Sequence, residues 1–143
     1  MPFPVQHCIA YVAVALVFMV LDAVWLSLMA SRLYRPAIGH LMADGFSVLP
    51  AVLFYLLYIA GIVYFAVAPA LDARKPVLAA LGHGALLGLL AYATYDLTNQ
   101  ATLRGWPWQV TLADLAWGAT VTGVAAAAGT AITVRVVAWW AAR

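Results

Sequence analysis

Apolar positions fall in four long runs separated by short polar breaks, and each run is long enough to form a membrane helix. A helix needs about 20 apolar residues to cross the hydrocarbon core of a bilayer. The first run extends from about Val5 to Ala30 and the second from about Val48 to Leu71. The third goes from about Pro76 to Asn99, and the fourth from about Val110 to Trp140. Pro50 and Pro76 stand in the first turns of their helices, where a missing N–H is not needed. Pro69, near the end of the second run, is expected to end or kink it. The predicted fold is all-α: a single 143-residue domain forming an up-down-up-down four-helix bundle in the membrane.

The breaks are short. Ser31 to Ser47 is the longest, and Arg32, Tyr34, Arg35, Leu41, Met42 and Phe46 give it the character of an interfacial segment. Asp72-Ala73-Arg74-Lys75 reads as a tight turn. Gln100 to Gln109 carries Arg104 and the Trp106-Pro107-Trp108 cluster, which reads as an aromatic anchor at headgroup level, as do Trp139 and Trp140. If successive helices alternate in direction, Arg32, Arg35 and Arg104 lie on one side, and Arg74, Lys75, Arg135 and Arg143 on the other with both chain ends. The positive-inside rule then expects both termini in the cytoplasm, by a margin of one residue.

Composition strengthens the membrane reading. Hydrophobic residues make up 67% of the chain and charged residues 8%, and the mean hydropathy is +0.99. A soluble domain carries roughly a quarter of its residues as charges. Here there are seven Lys/Arg and five acids, all of the acids aspartate. The net charge of +2 is small and scattered, so nucleic acid is not an expected partner. The single cysteine, Cys8, excludes an intramolecular disulfide. The first run is expected to be a retained helix and not a signal peptide, because no Lys or Arg precedes it, it exceeds an h-region in length, and Asp22 sits inside it.

Three aspartates inside the spans change the picture. Asp22, Asp96 and Asp114 all fall toward the side of the Ser31–Ser47 and Gln100–Gln109 breaks. At 1.5 Å per residue, Asp22 is about 12 Å in from its helix end, and Asp96 and Asp114 about 5–7 Å. Each carboxylate within a span costs roughly 2.5–3.5 kcal/mol on insertion scales, so it is expected to face the bundle interior. Ala80, Gly84, Gly88, Tyr92 and Asp96 recur every four residues and share one ridge. Gly84 and Gly88 form a GxxxG pattern, which lets helices approach closely. Asp114, Gly118, Thr122, Ala126 and Thr130 form a second ridge of small residues. A hairpin of these two helices brings Asp96 and Asp114 to one depth.

The surroundings are amphipathic. Tyr95, Thr98 and Asn99 flank Asp96, and Tyr55 and Tyr58 lie one turn apart on the second helix. Asp22-Ala23-Val24-Trp25 and Asp114-Leu115-Ala116-Trp117 are both DxxW, with the ring one turn beyond the carboxylate. The candidate ligand-binding set is Asp22, Trp25, Tyr55, Tyr58, Asp96, Asn99, Asp114 and Trp117. Against it stands a purely structural arrangement, with the carboxylates bonded to Tyr, Trp, Thr and Asn or paired with Arg35 or Arg104. No metal is expected, since hard cations want several oxygen ligands and no span histidine lies on that side. His83 lies near the opposite side, where Tyr11 and Tyr64 are expected at the same level; it reads as an interhelical donor. No nucleophile elbow, P-loop, dinucleotide fingerprint, paired Cys/His metal motif or haem attachment sequence is present. No cofactor is expected, and the enzyme class is disfavoured.

Taken together, Leu21-Asp22-Ala23-Val24-Trp25, Tyr34-Arg35, Phe54-Tyr55-Leu56-Leu57-Tyr58, Tyr92-Ala93-Thr94-Tyr95-Asp96-Leu97-Thr98-Asn99 and Asp114-Leu115-Ala116-Trp117-Gly118 resemble a bacterial family of predicted membrane proteins, domain of unknown function number 2177. The resemblance covers nearly the whole chain and is most specific at YDLTN and DxxWG. It implies a four-helix protein of the bacterial inner membrane and supplies no activity. Members keep company with lipid-modifying genes, a hint toward lipid chemistry that belongs to the neighbours.

Three functions compete at this stage. The first is binding of a lipid or other hydrophobic ligand among the three aspartates. The second is a small proton-coupled transporter using Asp22, similar to small multidrug exporters in its four helices, embedded acid and weak charge bias. The third is a lipid-modifying enzyme with an aspartate as general acid or base, for which no nucleophile or cofactor motif speaks. The lipid bilayer is the obligatory partner, and assembly as a homo-oligomer stays open.

Overall fold

The chain is helical almost throughout, because its long apolar segments satisfy every backbone group internally, as lipid requires. A computed structural model describes residues 3–143, with no strand among them. Helix α1 spans Phe3–Met29 and continues through a π-helical turn, Ala30–Tyr34, into α2, Arg35–Ile38, and a 3₁₀ turn, Gly39–Leu41. Helix α3 spans Val48–Ile62 and continues through a second π-helical turn, Val63–Val67, into α4, Ala68–Leu71. Helices α5, Pro76–Thr102, and α6, Trp108–Ala141, complete the chain. Four continuous helical stretches are long and apolar enough to cross a membrane: Val5–Leu41, Val48–Leu71, Pro76–Thr102 and Trp108–Ala141.

The surface is that of a membrane protein. Leu16, Leu49 and Leu57 are 65%, 70% and 73% exposed, while the interior is built from small side chains and a few larger ones such as Phe18 and Ile62. Helix α6 is the central element and packs on α5, on α1 and on the Val63–Val67 turn. Lipid tails are as apolar as leucine, so such helices associate through close van der Waals packing. The α5–α6 seam follows the two small-residue ridges. A Cβ on Gly88 would lie 1.9 Å from the carbonyl oxygen of Gly118, and one on Gly84 would lie 2.8 Å from that of Thr122. The pairing runs in opposite chain order, Tyr92 with Gly118 and Gly84 with Ala126, so the two helices are antiparallel.

Helix one does not stop near Ala30. Its helical path runs on to Leu41, and proline chemistry explains the form it takes. Pro36 has no N–H, and its ring crowds the carbonyl four residues back. The preceding turn widens, with the Arg35 N–H bonding the Ala30 carbonyl five residues behind. Pro69 repeats the device: the Ala68 N–H bonds the Val63 carbonyl, and the helix continues to Leu71. The expected kink or stop at Pro69 is therefore a π-helical turn.

Trp106 also differs from expectation. It is 6% exposed, because Gly105, at φ +71°, turns the chain inward ahead of it. Its indole N–H donates to Thr111 Oγ1 at 3.1 Å, Thr111 donates to Gln100 Oε1 at 2.9 Å, and Gln100 Nε2 donates back to the Trp106 carbonyl at 2.9 Å. Trp106 thus closes the α5–α6 hairpin, and Trp108, Trp139 and Trp140 are the exposed rings.

Candidate functional site

The two DxxW segments meet across α1 and α6. Trp25 and Trp117 stack face to face, with centroids 4.5 Å apart and planes within 6°. Each carboxylate is served from the other segment. Trp117 Nε1 donates to Asp22 Oδ1 at 3.2 Å. Trp25 Nε1 donates to the Tyr34 hydroxyl at 2.9 Å, and Tyr34 donates to Asp114 Oδ1 at 2.5 Å. Tyr55 of α3 completes Asp22 by donating to Oδ2 at 2.5 Å. The sequence placed each ring beside its own carboxylate; antiparallel packing exchanges the partners. Neither Arg35 nor Arg104 is a hydrogen-bonding partner of these two carboxylates.

Tyr34 reaches this cluster because of the π-helical turn. Nine residues make about two and a half turns of an ideal α-helix, which sets Trp25 and Tyr34 on opposite faces. The wider turn over Ala30–Tyr34 advances fewer degrees per residue and brings Tyr34 back toward Trp25.

Asp96 behaves differently. It is completely buried and faces Asp114 across the α5–α6 seam. No N–H or hydroxyl group among the described residues donates to either of its oxygens; its side-chain partner is the carboxyl group of Asp114. Its expected neighbour Thr98 bonds instead to the Thr94 carbonyl of its own helix, as Thr94 and Thr102 do to Leu90 and Thr98. Such back-bonding is how hydroxyls are satisfied within a span.

Between α1, α3, α5 and α6 these groups enclose a cavity of about 350 Å³. Asp22, Trp25, Tyr55, Asp96, Asp114 and Trp117, all expected from the sequence, line it. Tyr58 and Asn99 do not. Tyr58 stacks on Phe54 and hydrogen-bonds Thr122 Oγ1 at 2.8 Å. At the α5 end it is Gln100 that makes polar contacts, with Trp106 and Thr111. Tyr34, Phe54, Tyr92 and Tyr95 are wall residues absent from the expected set. Tyr92 was legible as a member of the α5 ridge and Tyr95 as a neighbour of Asp96; Tyr34 was hidden by the helical extension. The half-exposed Leu26, Phe54 and Tyr95 form the rim.

The other sequence candidates lie elsewhere. His83 is exposed and borders a groove with Phe65 and Pro69, Tyr11 donates to the Leu56 carbonyl at 3.1 Å, and Tyr64 is exposed against Phe65. Among the described residues no three His, Cys, Asp or Glu side chains are grouped so as to hold a metal ion.

No curated protein and no solved structure is detectably similar to the chain. The family model for predicted membrane proteins designated DUF2177 matches residues 7–131, so the chain belongs to that family of membrane proteins.

Proposed function

We propose that this membrane protein binds a lipid or another hydrophobic molecule in the cavity between α1, α3, α5 and α6. The observation that carries the reading is the cavity itself: about 350 Å³ with apolar and aromatic walls, on which three aspartates converge. Small-molecule sites have this composition, a mostly apolar concavity with a few polar groups that fix orientation. A purely structural hydrogen-bond cluster accounts for Asp22 and Asp114 but leaves without a purpose both the cavity and Asp96, a buried acid set against a second acid. Native mass spectrometry of protein extracted with its lipids tests the reading. A defined adduct is expected on the wild type and is expected to disappear from Ala91→Trp, which fills the wall. No adduct, or equal adducts on both proteins, overturns it.

Proton-coupled transport through Asp22 is the second reading, favoured by the burial of that carboxylate on the wall of the same cavity. Asp22→Asn is then expected to abolish pH-dependent transport, and unchanged transport removes this reading. The membrane we infer is the bacterial inner membrane, with the ends of α1 and α6 nearest the termini on the cytoplasmic side. Four Lys/Arg against three support that orientation.

A further inference from the structure

We propose that the molecule recognised in this cavity is an organic cation: an ammonium group carried on an apolar body. The inference rests on the ligand-binding reading above and adds the charge of the ligand.

Three features of the wall select for positive charge. The first is the balance of ionisable groups. Asp22, Asp96 and Asp114 line the cavity, and no Lys, Arg or His does so among the described residues. The donors that hold Asp22 and Asp114 are phenol and indole groups, which satisfy lone pairs without neutralising charge. The second is Asp96, which is fully buried, receives no N–H or hydroxyl donor at either oxygen, and has another acid, Asp114, as its side-chain partner. Two buried acids held against each other with no basic residue beside them are stabilised by a cation placed next to the pair. The third is the aromatic enclosure by Trp25, Trp117, Tyr34, Tyr55 and Tyr92, with Tyr95 at the rim. Ring faces attract cations, most strongly where water is excluded, and quaternary ammonium groups are bound in such boxes.

The same features argue against other ligands. An inorganic divalent ion finds no three His, Cys, Asp or Glu side chains among the described residues close enough together to share it. A phosphate or carboxylate entering the cavity finds three acidic side chains and no basic one on the wall. A neutral apolar molecule leaves Asp96 as it is. An ammonium group satisfies Asp96, lies against the rings, and lets its apolar body extend past Leu26 and Phe54 at the rim. The ammonium has two sources, a free hydrophobic amine or the headgroup of a lipid.

The test is a titration of the full-length protein in a neutral maltoside detergent, read by tryptophan fluorescence, because Trp25 and Trp117 lie in the wall. Benzyltrimethylammonium is compared with its uncharged carbon isostere, neopentylbenzene, and with benzylsulfonate. Saturable binding of the cation is expected, about 10- to 30-fold tighter than the isostere, with no binding of the anion. Asp96→Asn, whose amide can still hydrogen-bond Asp114, is expected to weaken the cation about 10-fold or more and to leave the isostere unchanged. Equal affinity for cation and isostere overturns the charge inference and leaves the ligand-binding reading standing. Saturation by none of the three overturns both. Undiminished cation affinity in Asp96→Asn overturns the role of Asp96 and with it the inference. Nanodiscs of phosphatidylglycerol alone, against discs containing phosphatidylethanolamine, separate the sources. Competition by the amine lipid supports an ammonium headgroup, and its absence supports a free amine; the cation preference is expected in both.

Discussion

At the scale of single residues, the three aspartates differ by their partners and are expected to respond differently to substitution. Asp114 and Asp22 are tied into a relay of neutral donors, Trp25 to Tyr34 to Asp114 and Tyr55 and Trp117 to Asp22. Tyr34→Phe strips one bond from a carboxylate and leaves the Trp25 N–H without its acceptor. A loss of about 1–3 kcal/mol is expected, since hydrogen bonds to charged groups exceed the neutral average and the orphaned partner adds its own penalty. Thermal unfolding in detergent measures it. Asp96 has no such neutral donor, and its side-chain partner is a second acid, Asp114. Asp96→Asn removes an uncompensated acid from the interior, and its amide gains a donor that faces Asp114. The midpoint of thermal unfolding is expected to rise, the reverse of the Tyr34→Phe result. A buried acid whose removal stabilises the fold is one retained for something other than folding, and that is the sense in which Asp96 marks the site.

At the scale of elements, what the hydropathy pattern carried and what it missed divide along one physical line. Spacing of four along α5 and α6 identified the close seam, because a ridge of small residues is a property of sequence periodicity alone. Gly88→Ala is accordingly expected to cost about 1–3 kcal/mol, as overpacking does, because its Cβ meets a backbone carbonyl at 1.9 Å. Gly82→Ala, on the same helix with nothing within 4 Å, is expected to stay within about 0.5 kcal/mol of wild type. The DxxW pairs were likewise visible, although their crossed hydrogen bonds depend on which helix lies beside which. The extension of α1 was not visible, since Ser31, Arg32, Arg35 and Pro36 look like a loop to any measure of hydropathy. A π-helical turn has no composition of its own; it shows only as a slip in register, and here the proline two residues past each turn is its one local trace. If Pro36 sets that slip, Pro36→Ala permits an ordinary α-helical turn and rotates Tyr34 away from Trp25. The variant is expected to lose as much stability as Tyr34→Phe, and the double variant no more than either alone, a non-additivity that a double-mutant cycle reads directly. Trp106 escaped for a related reason: its burial follows from the glycine turn at 105 and the Gln100–Thr111 bonds, which composition does not reveal.

At the scale of the whole molecule, the proposed orientation rests on very few charges, and this makes it open to experiment. The interior is held by packing along α6, which is the same whichever way the bundle faces, so nothing in the fold itself prefers one insertion. What discriminates is the Lys/Arg tally, with Arg32, Arg35 and Arg104 on the cavity side and Arg74, Lys75, Arg135 and Arg143 on the other. Such residues act through short loops near the helix ends, and Arg74 and Lys75 sit in the tightest connection of the chain, between α4 and α5. A fluorescent protein fused after Arg143 is expected to fluoresce and an alkaline phosphatase fused there to stay inactive, as a cytoplasmic end requires. Replacing Arg74 and Lys75 together by alanine turns four against three into two against three. The paired reporters are then expected to show mixed or inverted insertion, with phosphatase activity appearing. The cavity goes with the orientation: with both termini cytoplasmic, as proposed, it lies toward the outer face, where an organic cation from outside meets it first, and in an inverted population it lies toward the cytoplasm. Measuring cation uptake by intact cells in both backgrounds therefore reads topology and access at once. A phosphatase signal unchanged by the double substitution means that orientation is fixed by something other than these charges.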